Sequence, residues 1–172
     1  ARRGGETDTL TSIEGAIGSD KADTFKGDAQ NNAFQGGLGK DTATGGGGRD
    51  LYAFRSVQDS PAGAGRDVVK DFAPGQDVID VGNIDADDTT PGQQSFRWVG
   101  KATLTGAAQL GYYVSGGNTI VRASTDADAA LRESSAIARR PAASALASMA
   151  SATGRNCAAG PWPVGSSCGR LE

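Results

Sequence analysis

Along the first third of the chain the bulky apolar residues stand far apart and in step. Phe25, Phe34 and Tyr52 each occupy the eighth place of a nine-residue unit, and Ala43 takes that place in the third unit. The units read GSDKADTFK, GDAQNNAFQ, GGLGKDTAT and GGGGRDLYA, and follow one another from Gly18 without insertion. Each opens on glycine and carries Asp or Asn at its sixth place, namely Asp23, Asn32, Asp41 and Asp50. The last three residues of a unit predict a short strand whose middle side chain points inward, because side chains alternate along extended backbone. Two units complete one circuit, so each unit stacks on the next but one at a strand spacing of about 4.8 Å. A unit with a single core residue cannot bury itself alone, and the period therefore predicts a stacked coil.

After residue 53 the pattern becomes that of ordinary β structure. Val68-Val69, Val78-Ile79 and Val81 flank a turn at Ala73-Pro74-Gly75-Gln76-Asp77, and Phe96-Arg97-Trp98-Val99 reads as a strand. Leu110 to Val114 and Thr119-Ile120-Val121 read as a hairpin closed by Ser115-Gly116-Gly117-Asn118. Thr9 to Ile13 is strand-like and leads into the repeats. From about Ala123 the chain turns rich in Ala and Ser, with weak helical potential over Ala136 to Ala152 and little to bury, so a poorly ordered or weakly helical tail is expected. The reading is an all-β chain: a lead-in over 1–17, a parallel coil over 18–53, antiparallel strands over 54–128 and a tail over 129–172.

Composition sharpens this. Of 172 residues 37% are hydrophobic and 6% aromatic, while 26 are glycine, so apolar burial alone is a thin support for the first third. A net charge of -3 with scattered Lys and Arg offers no field for nucleic acid or an anionic membrane. No run approaches the ~20 apolar residues of a spanning helix, and no apolar run follows Ala1-Arg2-Arg3, so neither a transmembrane segment nor a cleavable signal peptide is expected. The chain has no histidine, which excludes Ser-His-Asp and Cys-His catalysis and zinc sites built on imidazole. Cys157 and Cys168, both in the tail, are too few to complete a zinc tetrahedron.

The repeats carry the chemistry. Glycines at places one, two and four let the backbone curl at positive φ and turn carbonyl oxygens inward, and the sixth residue adds a carboxylate. Stacking brings Asp23 near Asp41 on one edge and Asn32 near Asp50 on the other. Two bare carboxylates ~5 Å apart repel by roughly 3 kcal/mol at an effective dielectric of about 20. A cation between turns reverses that sign, and an all-oxygen, flexible cage suits Ca²⁺ better than Mg²⁺ or a soft metal. Such turns are expected to be loose without calcium and folded with it, so that binding energy is folding energy.

These units resemble the GGxGxDxUx nonapeptide of the RTX (repeats-in-toxin, haemolysin-type) calcium-binding proteins, whose repeats wind into a right-handed parallel β-roll. Units three and four match the glycine-and-Asp part; unit one lacks the middle glycines and unit two has Asn32 for Asp. Ile13-Glu14, Phe54-Arg55-Ser56, Asp59-Ser60, Asp71-Phe72, Gly75-Gln76-Asp77, Ile79-Asp80, Ile84-Asp85-Ala86 and Gly117-Asn118-Thr119 extend the likeness to the C-terminal module of serralysin-type metalloproteases, over roughly residues 8–128. The resemblance implies carbonyl ligands at Gly18 and Asp20 or Gly37 and Gly39 on one edge, and at Gly27 and Ala29 or Gly46 and Gly48 on the other. It extends to the neighbouring turn residues Gly36, Leu38, Gly45 and Gly47. The implied side-chain ligands are Asp23, Asp41, Asp50 and the neutral Asn32, with Asp59 and Asp67 closing a last site. It also implies an N-terminal catalytic domain in the parent protein, a type I secretion apparatus as partner, and an extracellular location.

Rival readings explain less. A flexible linker has no reason to keep Asp and aromatic residues in nine-residue phase. A phosphate loop at Gly39-Lys40 would need glycine where Phe34 sits and Ser or Thr where Asp41 sits. An EF-hand starting at Asp126 and Asp128 lacks its ligand at Ala130, its glycine and its closing Glu. Asp85, Asp87 and Asp88 read as a solvated turn, and Trp98, Tyr112 and Tyr113 as packing residues. The function expected is a non-catalytic calcium-binding folding and export module of a larger secreted bacterial protein, a metalloprotease by resemblance. The alternative is an adhesion or carbohydrate-binding module with structural calcium.

Overall fold

The computed structural model describes residues 14–126 and, for the backbone, 134–139. Thr9 to Ile13, Asp128, Cys157, Cys168 and the tail beyond 139 lie outside the described residues. The nonapeptides form a column of three-residue strands nine positions apart: β1 Gly15–Ile17, β2 Thr24–Lys26, β3 Ala33–Gln35, β4 Thr42–Thr44 and β5 Leu51–Ala53. After a loop with a 3₁₀ turn at Gly63–Gly65 come β6 Val68–Val69 and β7 Val78–Asp80. The remaining strands are β8 Arg97–Gly100, β9 Gln109–Ser115, β10 Asn118–Ser124 and β11 Ser134–Arg139.

Successive strands alternate between two sheets. One has the order β1-β3-β5-β7 and the other β2-β4-β6-β11-β10-β9-β8. All pairings within the coil are parallel and in register, for example Ala16 with Phe34, Phe34 with Tyr52, Phe25 with Ala43 and Ala43 with Val69. The coil therefore runs past the nonapeptides: β6 pairs with β4 and β7 with β5, both parallel, so the Val68 and Val78 segments are two further half-turns. Among the described residues antiparallel pairing is confined to β9–β10 and β10–β11, since β8 meets β9 in parallel. The hairpin turns at Gly116-Gly117, where the sequence places it.

Weak helix was expected from Ala136; the backbone there is instead strand β11. It runs parallel to β6 and antiparallel to β10, and so joins the sheet of the coil to that of the hairpin. Both of its flanking strands offer unpaired backbone groups at that place, and filling such a gap outweighs the modest helix preference of an Ala-rich run.

The middle residue of each coil strand points inward and builds the core. Phe34, Tyr52, Val69 and Ile79 are buried, and Phe25 packs against them at the N-terminal end. The rings form a continuous column: Phe25 to Phe34 at 5.6 Å, Phe34 to Tyr52 at 5.8 Å and Tyr52 to Phe72 at 6.1 Å between centroids, spacings at which aromatic pairs attract. Ala43 leaves a cavity of about 20 Å³ beside Phe34, Asp41 and Asp67. Trp98 stacks on the buried Tyr112 at 5.9 Å, and the Arg122 guanidinium covers Tyr113 at 5.3 Å, so these aromatic groups serve packing.

Truncating Phe34, which is packed between two other rings, is expected to destabilise the calcium-loaded chain by about 3 kcal/mol or more, whereas Phe25→Ala at the end of the column costs less. Chemical denaturation of the two variants in calcium reads the difference.

Candidate metal centre

Because the strands alternate sheets, the bends between them fall on two edges. Bends 18–23, 36–41 and 54–67 share one edge, and bends 27–32, 45–50 and 70–77 the other. Asp23, Asn32, Asp41 and Asp50, each the last residue of its bend, are tied twice to the next turn, once to the equivalent residue and once to the residue after it. On the first edge the N–H of Asp23 donates to Oδ1 of Asp41 at 2.8 Å, and the N–H of Asp41 donates to Oδ1 of Asp67 at 2.8 Å. On the second the N–H of Asn32 donates to Oδ1 of Asp50 at 2.9 Å, and the N–H of Asp50 to Oδ1 of Asp77 at 3.0 Å. In return the carbonyls of Asp23, Asn32, Asp41 and Asp50 accept from the N–H groups of Thr42, Leu51, Val68 and Val78 at 2.8–2.9 Å.

This ladder shows which residues the sequence alone left unread. Partners on the nonapeptides are 18 residues apart, but Asp41 to Asp67 spans 26 and Asp50 to Asp77 spans 27. The longer bends thus put Asp67, implied as a closing ligand, and Asp77, not read as one, behind a broken period. The surviving signal is Asp77-Val78-Ile79, which repeats the character of Asp50-Leu51-Tyr52. The role of Asp71 was not read either. Its two oxygens accept from the N–H groups of Gly45 and Gly46 at 2.9 and 2.8 Å, closing the last glycine bend.

The glycines are required by the closeness of stacking. Gly37 and Gly46 stand at φ of +92° and +94°, and the room a side chain would need is filled by the main-chain oxygens of Ser19 and Asp28 respectively. Gly39 and Gly48 meet the carbonyls of Lys21 and Gln30 in the same way. The main-chain oxygens of Ser19, Lys21, Asp28 and Gln30 thus lie against the glycines of the next turn, and those of Gly36 and Gly45 lie against Gly18 and Gly27. The expected residues are nonetheless gathered as two sets. Gly18, Asp20, Asp23, Gly36, Gly37, Leu38, Gly39, Asp41 and Asp67 lie along the first edge, and Gly27, Ala29, Asn32, Gly45 to Gly48 and Asp50 along the second. The Asp20 side chain is solvent-facing beside Lys21. Asp59 turns Oδ2 into its own loop, accepting from the N–H groups of Arg55 and Ser56 at 2.7 and 3.2 Å.

Buried carboxylates without a counterion are poised to take up a cation or a proton. Asp41, Asp50 and Asp67 are buried, and Oδ2 of Asp41 has no hydrogen-bond partner among the described residues. Burial pushes the Asp67 carboxyl up to about 7, helped by the charges of Asp41 and Asp59. Burial likewise raises Asp41, with Asp23 and Asp59 adding to it, and raises Asp50, with Asp77, Asp71 and Asp28 adding. Among the described residues no three His, Cys, Asp or Glu side chains converge on one point, so an ion here needs main-chain carbonyls for much of its shell. The donor set is hard oxygen throughout, which fits Ca²⁺.

Residues 10–127 match the family described as peptidase M10 serralysin C terminal. The chain belongs to that family. It is a family of calcium-binding repeat modules, and this domain is such a module and not itself a catalytic unit. The solution structure of the AlgE6R2 subunit of the Azotobacter vinelandii mannuronan C5-epimerase is similar, with a TM-score of 0.56 at 25% identity over 90% of this chain and 98% of that one. The AlgE6R3 subunit of the same enzyme has a TM-score of 0.51 at 23% identity over 100% and 98%, a likeness of fold alone. No curated protein matches the chain. The parallel strands seen here match the β-roll fold of these AlgE subunits.

Two outcomes are expected. Gly46→Ala, which would drive a methyl group into the Asp28 carbonyl, should lower stability in calcium well beyond Gly75→Ala, whose φ of +88° faces open space and which should cost only roughly 1–2 kcal/mol; denaturation midpoints decide it. Because the folded Asp67 carboxyl holds its proton up to about 7 while the unfolded one releases it near 4, the calcium-free fold loses stability as pH rises through that window. Calcium needs the ionised form, so its affinity should fall as pH drops below 7, read by isothermal titration at pH 5.5 and 7.5.

Proposed function

We propose that this chain is the calcium-controlled folding module of a larger secreted protein. The observation that carries this reading is the buried Asp41 carboxylate, 3% exposed and with one oxygen unpaired, set among stacked bends whose other donors are main-chain carbonyls. Leaving such an oxygen without a partner is costly, and nothing in an apolar core repays it. Calcium supplies the missing positive charge when bound. The residues we assign to it are Asp23, Asp41, Asp50 and Asp67 with the neutral Asn32, assisted by bend carbonyls and, at the end of the first edge, by Asp59.

The chain's own part is to make folding conditional. Its small core and close-set acids favour a loose coil where calcium is scarce, and the same acids favour the stacked coil where calcium is millimolar, the range of extracellular oxygen-ligand sites. That behaviour suits a segment exported unfolded by a type I secretion apparatus and folded outside the cell. Family membership supports a metalloprotease as parent, with its catalytic domain N-terminal to this module. The likeness to subunits of a mannuronan C5-epimerase supports the same role beside an enzyme acting on polysaccharide. The adhesion alternative finds less support, because Tyr112 is buried under Trp98 and Tyr113 lies beneath Arg122.

Far-UV circular dichroism of the full chain during a calcium titration tests the proposal. β structure should appear between about 0.1 and 1 mM calcium and disappear on chelation; a spectrum indifferent to calcium and chelator would rule the module reading out.

A further inference from the structure

We propose that the two edges of the roll are unequal: the cation is taken up on the first edge, between the Asp23, Asp41 and Asp67 bends, whereas the second edge closes at its Asn32 bend through hydrogen bonds of the chain's own side chains and holds a cation there only weakly. This rests on the calcium-module reading and concerns how its sites differ.

The two edges share one architecture but not one donor inventory. On the first edge adjacent sixth places are both acids, Asp23 and Asp41, so an ion between those bends meets two carboxylates. On the second edge the equivalent pair is Asn32 and Asp50, with one carboxylate. The affinity of an oxygen site for calcium follows its count of charged ligands. Of the flanking cations, Lys40 and Arg49 occupy the same place in their bends, and Lys21, whose counterpart on the second edge is Gln30, is exposed and paired with Asp20 at 3.7 Å.

Hydrogen bonding differs in the same direction. On the first edge Asp41 is 3% exposed and its Oδ2 finds no donor among the described residues. The own-bend closure is common to both edges, since Asp23 Oδ2 accepts from the N–H of Ser19 at 2.8 Å and Asn32 Oδ1 from the N–H of Asp28 at 3.0 Å. What the second edge adds is Asn31, whose Oδ1 accepts from the N–H of Arg49 at 2.7 Å and so bridges the two stacked bends, where the first edge has Ala22 with no side-chain acceptor. One turn further on, Asp71 receives Gly45 and Gly46, and Asp77 receives Asp50 through Oδ1 and Ala73 through Oδ2 at 2.7 Å. Carboxamide and carboxylate oxygens here bind main-chain N–H groups, a role that needs no metal.

Calcium titrations of the full chain with calcium chloride, read by calorimetric stoichiometry and far-UV circular dichroism, test the inequality. Asp41→Asn should raise the calcium midpoint by about tenfold or more, and Asp50→Asn by about threefold or less. Asn32→Asp, which restores the second carboxylate, should add one ion to the stoichiometry. If Asp41→Asn does not fold at saturating calcium, the count for Asn32→Asp decides alone. Equal midpoint shifts for the Asp41 and Asp50 variants, or an unchanged stoichiometry for Asn32→Asp, overturn the inequality while leaving the module reading intact. A wild-type chain indifferent to calcium overturns the module reading itself.

Discussion

The stacking of one bend on the next through an aspartate that serves two turns at once is the interaction on which this structure depends. A three-residue strand forms too few backbone bonds to define its own register. The carboxylate of the following turn receives the N–H at the end of each bend, and the carbonyl beside that N–H is bonded back. Register is thus set at the bends, and the strands inherit it. The same closeness demands glycine at Gly37 and Gly46, where a side chain would strike the main chain of the neighbouring coil. It also crowds acids together, which makes the fold sensitive to whatever neutralises them.

That sensitivity connects energetics to function. A protein of this size ordinarily rests on apolar burial, yet the nonapeptide part contributes little more than one inward residue per strand, with the Phe25, Phe34 and Tyr52 rings in file and Ala43 leaving space. Burial raises the affinity of Asp41, Asp50 and Asp67 for a proton, which is the mark of negative charge held against its preference. A divalent cation relieves the same strain, so metal binding and folding become one equilibrium. The C-terminal strands extend the coil's second sheet: β11 ties it to the β9–β10 hairpin by backbone pairing.

Much of this was legible in residue order. A period of nine with glycine, acid and one apolar residue in phase is a local statement about bend, ligand and core, and it survives translation into structure unit by unit. The hairpin at Gly116-Gly117 was legible for the same reason, since turn chemistry lies within a few residues. The roles of Asp71 and Asp77 were not legible, because the loops before them are longer and the period that would identify them is interrupted. The paired oxygen of Asn31 likewise carries meaning only once bend 45–50 is seen lying against bend 27–32.

Sequence by itself determined the repeat, the all-β character of the coil, the all-oxygen donor set and the exclusion of histidine chemistry, since each follows from residue type at a fixed short spacing. Tertiary structure alone decided how far the coil continues, which carbonyls face the next turn, and that Ser134–Arg139 joins the sheets as a strand. Those outcomes depend on partners dozens of residues away, whose unpaired backbone groups and crowded charges outweigh the local preference of the segment that meets them.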